Sequence, residues 1–143
     1  MKRGHDFIGV TAVTICHDGH GNYLLGHRSN KCRDEHFRWD VVGSGGVEFG
    51  EWLEEAIQRE VKEECGATVQ NIEPLGYREV HREHDGEKTH WIALDFKVEI
   101  DRDQVHNPEP DKCLEMKWFK LSEFPEPMHS QWPIFFEKYK EKL

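Results

Sequence analysis

The longest periodic stretch runs from Glu51 to Glu64, EWLEEAIQREVKEE, with no proline or glycine and mostly helix-favouring residues. At about 100° per residue, Leu53, Ala56, Ile57, Glu60, Val61 and Glu64 share one stripe of a helix. Gly66 ends it as a left-handed C-cap glycine would. Ahead of it, Phe7–Cys16 (FIGVTAVTIC) is rich in β-branched residues and predicts a central strand. A turn at Asp18–Asn22 and a second strand at Tyr23–His27 complete a hairpin, and Phe37–Val42 predicts a short strand leading into a glycine-rich turn. After the helix, Thr68–Glu73 and Leu75–Glu83 read as two extended segments, with a turn at His84–Glu87. Thr89–Ile100 alternates: Trp91, Ala93, Asp95 and Lys97 lie on one face, and Ile92, Leu94, Phe96 and Val98 on the other, which is the better core face. Cys113–Leu121 gives a further strand, and Ser130–Leu143 a C-terminal helix with Pro133 in its first turn. Strands interleaved with two helices predict an α/β fold, a mixed β-sheet with a helix on each face, in one domain over residues 1–143.

Composition narrows the partners. The formal net charge is −9 over 143 residues, which argues against a nucleic-acid partner or a docking surface for anionic membranes. No apolar run approaches a membrane span, and the N-terminus lacks the apolar core of a signal peptide. Cys16, Cys32, Cys65 and Cys113 are scattered without a Cys-x-x-Cys pair, so free thiols in a reducing cytoplasm are expected.

The helix carries the chemistry. The first half of its stripe is apolar, but Glu60 and Glu64 occupy positions where the pattern calls for apolar residues, with Glu63 on the flank. Carboxylates clustered at a core edge repel one another and lose hydration, so they need positive charge nearby. Arg59 supplies one unit; a hard divalent cation with oxygen ligands, Mg²⁺ or Mn²⁺, would supply more.

Gly45–Ala67 resembles the Nudix box, with Gly45, Glu51, Arg59, Glu60, Val61, Glu63, Glu64, Gly66 and Ala67 at the fixed positions of that motif. It departs at Ala67, smaller than the usual aliphatic residue, and at Gly43-Ser44-Gly45, where a Pro-Gly-Gly is usual. The resemblance implies an α/β/α sandwich and hydrolysis of a pyrophosphate linkage in a nucleoside diphosphate joined to another group. It implies Glu60 and Glu64 as main metal ligands and Glu63 as a further ligand or the base that activates water. Ser44 would offer a carbonyl oxygen to the metal, and Glu109 is the first candidate for an acidic ligand outside the box. Arg59 would orient the glutamates, and Glu51 would hold the glycine loop in shape. Arg28 stands where the family often carries an arginine near the substrate phosphates; Phe37 and Trp91 are the choices for stacking on a base.

A fainter resemblance, carried by Glu48–Glu51, Glu54, Glu55, Asn107–Cys113, Trp118 and Glu123–Pro125, is to MutT-like, nucleotide-pool-cleaning Nudix enzymes. It implies a small-molecule substrate, a nucleoside triphosphate split to a monophosphate and pyrophosphate. ADP-ribose or a nucleotide-sugar is the alternative. A non-catalytic Nudix-fold nucleotide-binding module is a second, although such modules usually lose carboxylates that are present here. Several relatives of the family are homodimers, which sets the oligomeric expectation.

Overall fold

The computed structural model describes all of residues 1–143. Seven strands and two α-helices succeed one another along the chain: β1 (Gly9–His17), β2 (Asn22–Arg28), β3 (Trp39–Val41), β4 (Gly45–Gly46), α1 (Leu53–Cys65), β5 (Val69–His84), β6 (Glu87–Ile100), β7 (Cys113–Lys120) and α2 (Trp132–Tyr139). They form one mixed sheet in the order β3-β2-β1-β6-β5, with β4 paired to β1 and β7 paired to β2.

Strand β1 is the axis. Along one edge it pairs in parallel with β6, from Gly9 opposite Trp91 to His17 opposite Glu99. Its other edge is divided: Thr11 and Ala12 pair with Gly46 and Gly45, whereas His17 pairs with Tyr23. Between these two ladders the chain from Val42 to Ser44 lies against β1. The Thr14 hydroxyl donates to the Val42 carbonyl at 2.7 Å, and the Thr14 N–H donates to Ser44 Oγ at 3.1 Å. The glycine turn is thus set into the opening of the sheet.

Each face of the sheet has its own core. On one, α1 places Ile57, Val61 and Cys65 against Ala12, Cys16, Leu24, Val42, Phe96, Val98 and Ile100. Ile57 and Val61 are fully buried, each stabilising the fold by roughly 1.5–3 kcal/mol. On the other, Phe135 and Tyr139 of α2 pack with Ile15, Tyr23 and Leu75. Gly66 caps α1 with φ 75° and ψ 0°, and its N–H donates to the Lys62 carbonyl, as its place in the sequence predicts. Gly43 (φ +97°) is required twice over, since a Cβ there would also stand 2.7 Å from Thr14 Oγ1 and 2.8 Å from Val61 Cγ2.

Four expectations are corrected. Leu53 is not core; it begins α1 and is 37% exposed. The segments on either side of Pro74 are one strand, β5, because two register shifts, between Val69 and Asn71 and between Pro74 and Gly76, absorb the break. The C-terminal helix is shorter than Ser130–Leu143, spanning Trp132–Tyr139. In β6, Leu94, Phe96 and Val98 do face the α1 core, but Ala93 and Asp95 are just as buried, because α2 covers the opposite face. No helix is long and apolar enough to cross a membrane.

Candidate active site

Helix α1 turns its carboxylates toward the glycine turn. Arg59 is the hub. It donates to Glu51 from Nε (2.7 Å) and Nη2 (2.9 Å), to Glu60 from Nη1 (2.6 Å) and to the Gly46 carbonyl (3.2 Å); Glu63 lies 3.6 Å away. Glu51 also accepts from the Glu48 N–H at 3.1 Å, bracing the loop. Hydrogen bonds from Arg59 and from the Glu48 backbone hold the Glu51 carboxyl down at about 2. Glu60 lies flat on Gly45, where a Cβ would stand 2.2–2.6 Å from its carboxylate, so only glycine leaves room for it.

Glu64 is in a different condition. It is half-buried, and its one hydrogen bond comes from the Gly43 N–H at 2.8 Å. Burial, added to the charges of Glu60, Asp40 and Glu109, pushes its pKa up to about 8. Burial likewise raises Glu60 and Asp40.

Glu64 opens into a cavity of about 240 Å³ lined also by Ser44, Asp40, Glu109, Arg28 and Lys112. Four of the sequence-predicted residues, Glu64, Ser44, Glu109 and Arg28, therefore meet in one space. Arg28 is not free there: it donates to the Asp34 carbonyl (3.0 Å) and carboxylate (3.2 Å), and lies 3.6 Å from Asp40. Glu60 and Glu63 do not line this cavity; Glu60 is taken by Arg59, and the Glu63 side chain is 58% exposed.

A second cavity, of about 330 Å³, lies on the α2 face and shares Asp40, Val41 and Ser44 with the first. Trp91 lines it, together with Arg33, Arg82, His129 and Gln131. The indole is seated on two glycines: a Cβ at Gly4 or Gly9 would stand 2.3 Å or 2.5 Å from its ring. Phe37 is placed elsewhere. It occupies a turn with φ +60°, is 51% exposed and lines neither cavity, because its N–H donates to Arg28 and the chain reverses there rather than continuing as strand.

The donor set fits a hard divalent cation. All of it is oxygen, and the half-buried Glu64 carboxylate has no basic side chain within 4 Å to offset the acids around it. As they stand, no three acidic, cysteine or histidine side chains close around one point. Of the three glutamates expected to hold the metal, Glu60 and Glu63 lie against Arg59, at 2.6 Å and 3.6 Å, and Glu64 alone lines the first cavity.

Sequence reasoning missed Asp40, the carboxylate shared by both cavities, and a buried network of Arg78, Asp95 and Tyr139 behind the second. The only signal for the network was an acid, Asp95, in the middle of an apolar strand.

A carboxylate-bearing helix packed on a glycine turn, with an arginine tying the two together, is the arrangement of a Nudix hydrolase. The family model described as NUDIX domain matches residues 7–139, and the chain belongs to that family. Its structure is similar to that of the MutT NUDIX hydrolase from Burkholderia pseudomallei, with a TM-score of 0.79 and 25% identity over 93% of this chain and 98% of that one. It is similar also to the MutT protein from Methanosarcina mazei Go1, with a TM-score of 0.72, 26% identity and 94% of each chain covered. By sequence it is 32% identical over 82 residues to the NAD-capped RNA hydrolase NudC of Pseudomonas aeruginosa. That match covers 57% of this chain and only 27% of the relative.

Proposed function

We propose that this chain, as one Nudix domain, hydrolyses a pyrophosphate linkage, with a nucleoside triphosphate as substrate and a nucleoside monophosphate and pyrophosphate as products. The observation that carries the reading is the pair of cavities joined at Asp40, Val41 and Ser44: one bearing the carboxylates of Asp40, Glu64 and Glu109, the other faced by an indole and flanked by arginines. A nucleotide has the same two halves. Its polyphosphate would lie over Glu64 and its base against Trp91.

Glu64, Glu60 and Glu109, with the Ser44 carbonyl, would hold Mg²⁺ or Mn²⁺. When bound, the cation neutralises phosphate oxygens and lowers the pKa of water. The chain's own residues do the rest. Glu51 and Arg59 keep the loop and Glu60 in register. Glu63, exposed at the outer end of the cluster beside Arg59, would accept a proton from the attacking water. Arg28, held on Asp34, offers fixed positive charge toward the phosphates. Two of the solved relatives of similar length carry the name MutT, which favours the triphosphate over ADP-ribose or a nucleotide-sugar.

The test is a phosphate-release screen with Mg²⁺ or Mn²⁺ and a coupled pyrophosphatase. The panel holds deoxynucleoside triphosphates, ordinary and oxidised, with ADP-ribose, nucleotide-sugars and dinucleoside polyphosphates. Pyrophosphate from the triphosphates is the expected result; turnover of ADP-ribose or a sugar nucleotide alone would overturn the substrate, and silence with both metals the activity.

A further inference from the structure

The two glycines of β4 are held from opposite sides. Directions alternate along a strand, so Gly45 and Gly46 turn opposite faces outward. The Glu60 carboxylate covers the face of Gly45. The face of Gly46 is covered by Arg3: a Cβ there would stand 2.7 Å from its Nη2 and 2.8 Å from its Cζ. The same guanidinium donates from Nη1 to the Val47 carbonyl at 2.7 Å, and that carbonyl accepts no other hydrogen bond within the chain. Arg59 meanwhile donates to the Gly46 carbonyl at 3.2 Å. Two arginines thus grip successive carbonyls of the loop, one from α1 and one from the N-terminal segment.

The arm that carries Arg3 is itself fixed. Residues 2–7 close on themselves: the Lys2 N–H donates to Asp6 Oδ2 at 2.6 Å, the Asp6 N–H to the Lys2 carbonyl at 2.7 Å, and the Gly4 N–H to the Phe7 carbonyl at 2.7 Å. The Gly4 carbonyl accepts from the His90 N–H at 2.8 Å, which ties the arm to β6. Gly4 has φ +79°, and the Trp91 ring fills the place of its missing Cβ. Arg3 is therefore stationed by the strand that bears Trp91, and it ends on the loop that Glu51 and Arg59 brace.

Resting on the reading of this loop as part of a pyrophosphohydrolase site, we infer that Arg3 is a positioning residue for it. Arg3 lines neither cavity, so it acts through the loop and not on a ligand. A strand of two glycines has much conformational freedom to lose. Arg3 restrains it from the side that Arg59 and Glu60 leave open, and so keeps Gly45 seated under the Glu60 carboxylate.

The test is Arg3→Gln, which is too short to keep the contact. Two readouts are taken: kcat and KM for a nucleoside triphosphate with Mg²⁺, and amide hydrogen exchange of residues 44–52 in the metal-free protein. The variant should lose about tenfold in kcat while KM stays within about twofold. Exchange in the loop should quicken by about fivefold, the worth of one hydrogen bond, while α1 and β6 keep their wild-type rates. A general loss of packing would instead quicken exchange in all three and lower Tm. Wild-type kcat in Arg3→Gln, a change confined to KM, exchange quickened equally in α1 and β6, or loop exchange at the wild-type rate each overturns the inference and leaves the triphosphate reading standing. A wild type that hydrolyses no nucleoside triphosphate overturns that reading instead, and loop exchange then decides the role of Arg3 alone.

Discussion

Replacing Glu64 by Gln should stabilise the metal-free protein while sharply lowering its activity. Glu64 titrates at about 8 in the folded chain against an ordinary 4.5, because burial and neighbouring acids disfavour its charge. Between those two values the unfolded chain has released the proton and the folded chain still holds it. Stability therefore falls as pH rises from about 4.5 to about 8. At about 1.4 kcal/mol per unit the shift sets a ceiling of roughly 5 kcal/mol; the effective dielectric at such a site brings the expected gain for Gln to about 1–3 kcal/mol at pH 8. Glutamine keeps the acceptor for the Gly43 N–H, so the loop has no reason to move. Urea unfolding in EDTA at pH 5 and pH 8 measures this: the two proteins should be nearly equal at the lower pH and separate at the higher. Adding Mg²⁺ should raise the wild-type Tm and leave the variant where it was, and kcat/KM should fall by about a hundredfold or more. A variant no more stable than wild type at pH 8, or one equally shifted at both pH values, would refute the idea that this carboxylate is held in place against electrostatic strain.

Three further outcomes are expected. Arg78→Met should lose about 3–5 kcal/mol in denaturant titrations, because it leaves the Asp95 charge buried without its partner, whereas Tyr139→Phe, which removes one bond to that charge, should lose about 1.5–3 kcal/mol; equal effects would show that Asp95 is not the centre of the network. Gly45→Ala, whose Cβ would collide with the Glu60 carboxylate, should lower kcat by about tenfold or more with little change in Tm, while Gly50→Ala, open in space but at φ +86°, should lower Tm and spare kcat; the reverse assignment would break the argument for both glycines. Glu51, held at about 2 by Arg59, should stay ionised and keep the loop braced until pH falls well below 4.5, and a carboxyl NMR midpoint near 4.5 would contradict the pairing.

The glycine turn and its helix were legible because charged residues interrupt an otherwise regular apolar stripe at fixed spacing. Composition alone would not have distinguished Glu60 and Glu64 from the solvated Glu54 and Glu55. The strands of the β1–β2 hairpin and β6 were legible from alternation and turn residues, and the turn at Asp85 (φ 50°) and Gly86 (φ 79°) has the positive angles a tight hairpin needs. What alternation does not disclose is that both faces of β6 are covered, since the second cover, α2, arrives about forty residues later in the chain. Alternation thus put Asp95 on the face opposite the better core face. Its pairing with Arg78 depends on the register of β5 against β6, which tertiary contacts decide. Phe37 looked like strand because it is aromatic and precedes Arg38-Trp39; the reversal at Glu35 (φ 52°) and Phe37 (φ 60°) has no glycine to announce it.

The register shift between Pro74 and Gly76 in β5 works as a reading-frame setting for the lining of the second cavity. Downstream of it, Arg78, Val80 and Arg82 line the second cavity, and Tyr77 and Glu79 alternate outward. Because a strand repeats every two residues, deleting a single residue at the bulge would exchange the two sets wholesale. Tyr77 and Glu79 would then be carried inward, Arg78 would lose Asp95, and the fold's other elements would keep their own pairings. A chain with one residue more or fewer here would therefore present a different lining to the second cavity while α1 kept its own packing.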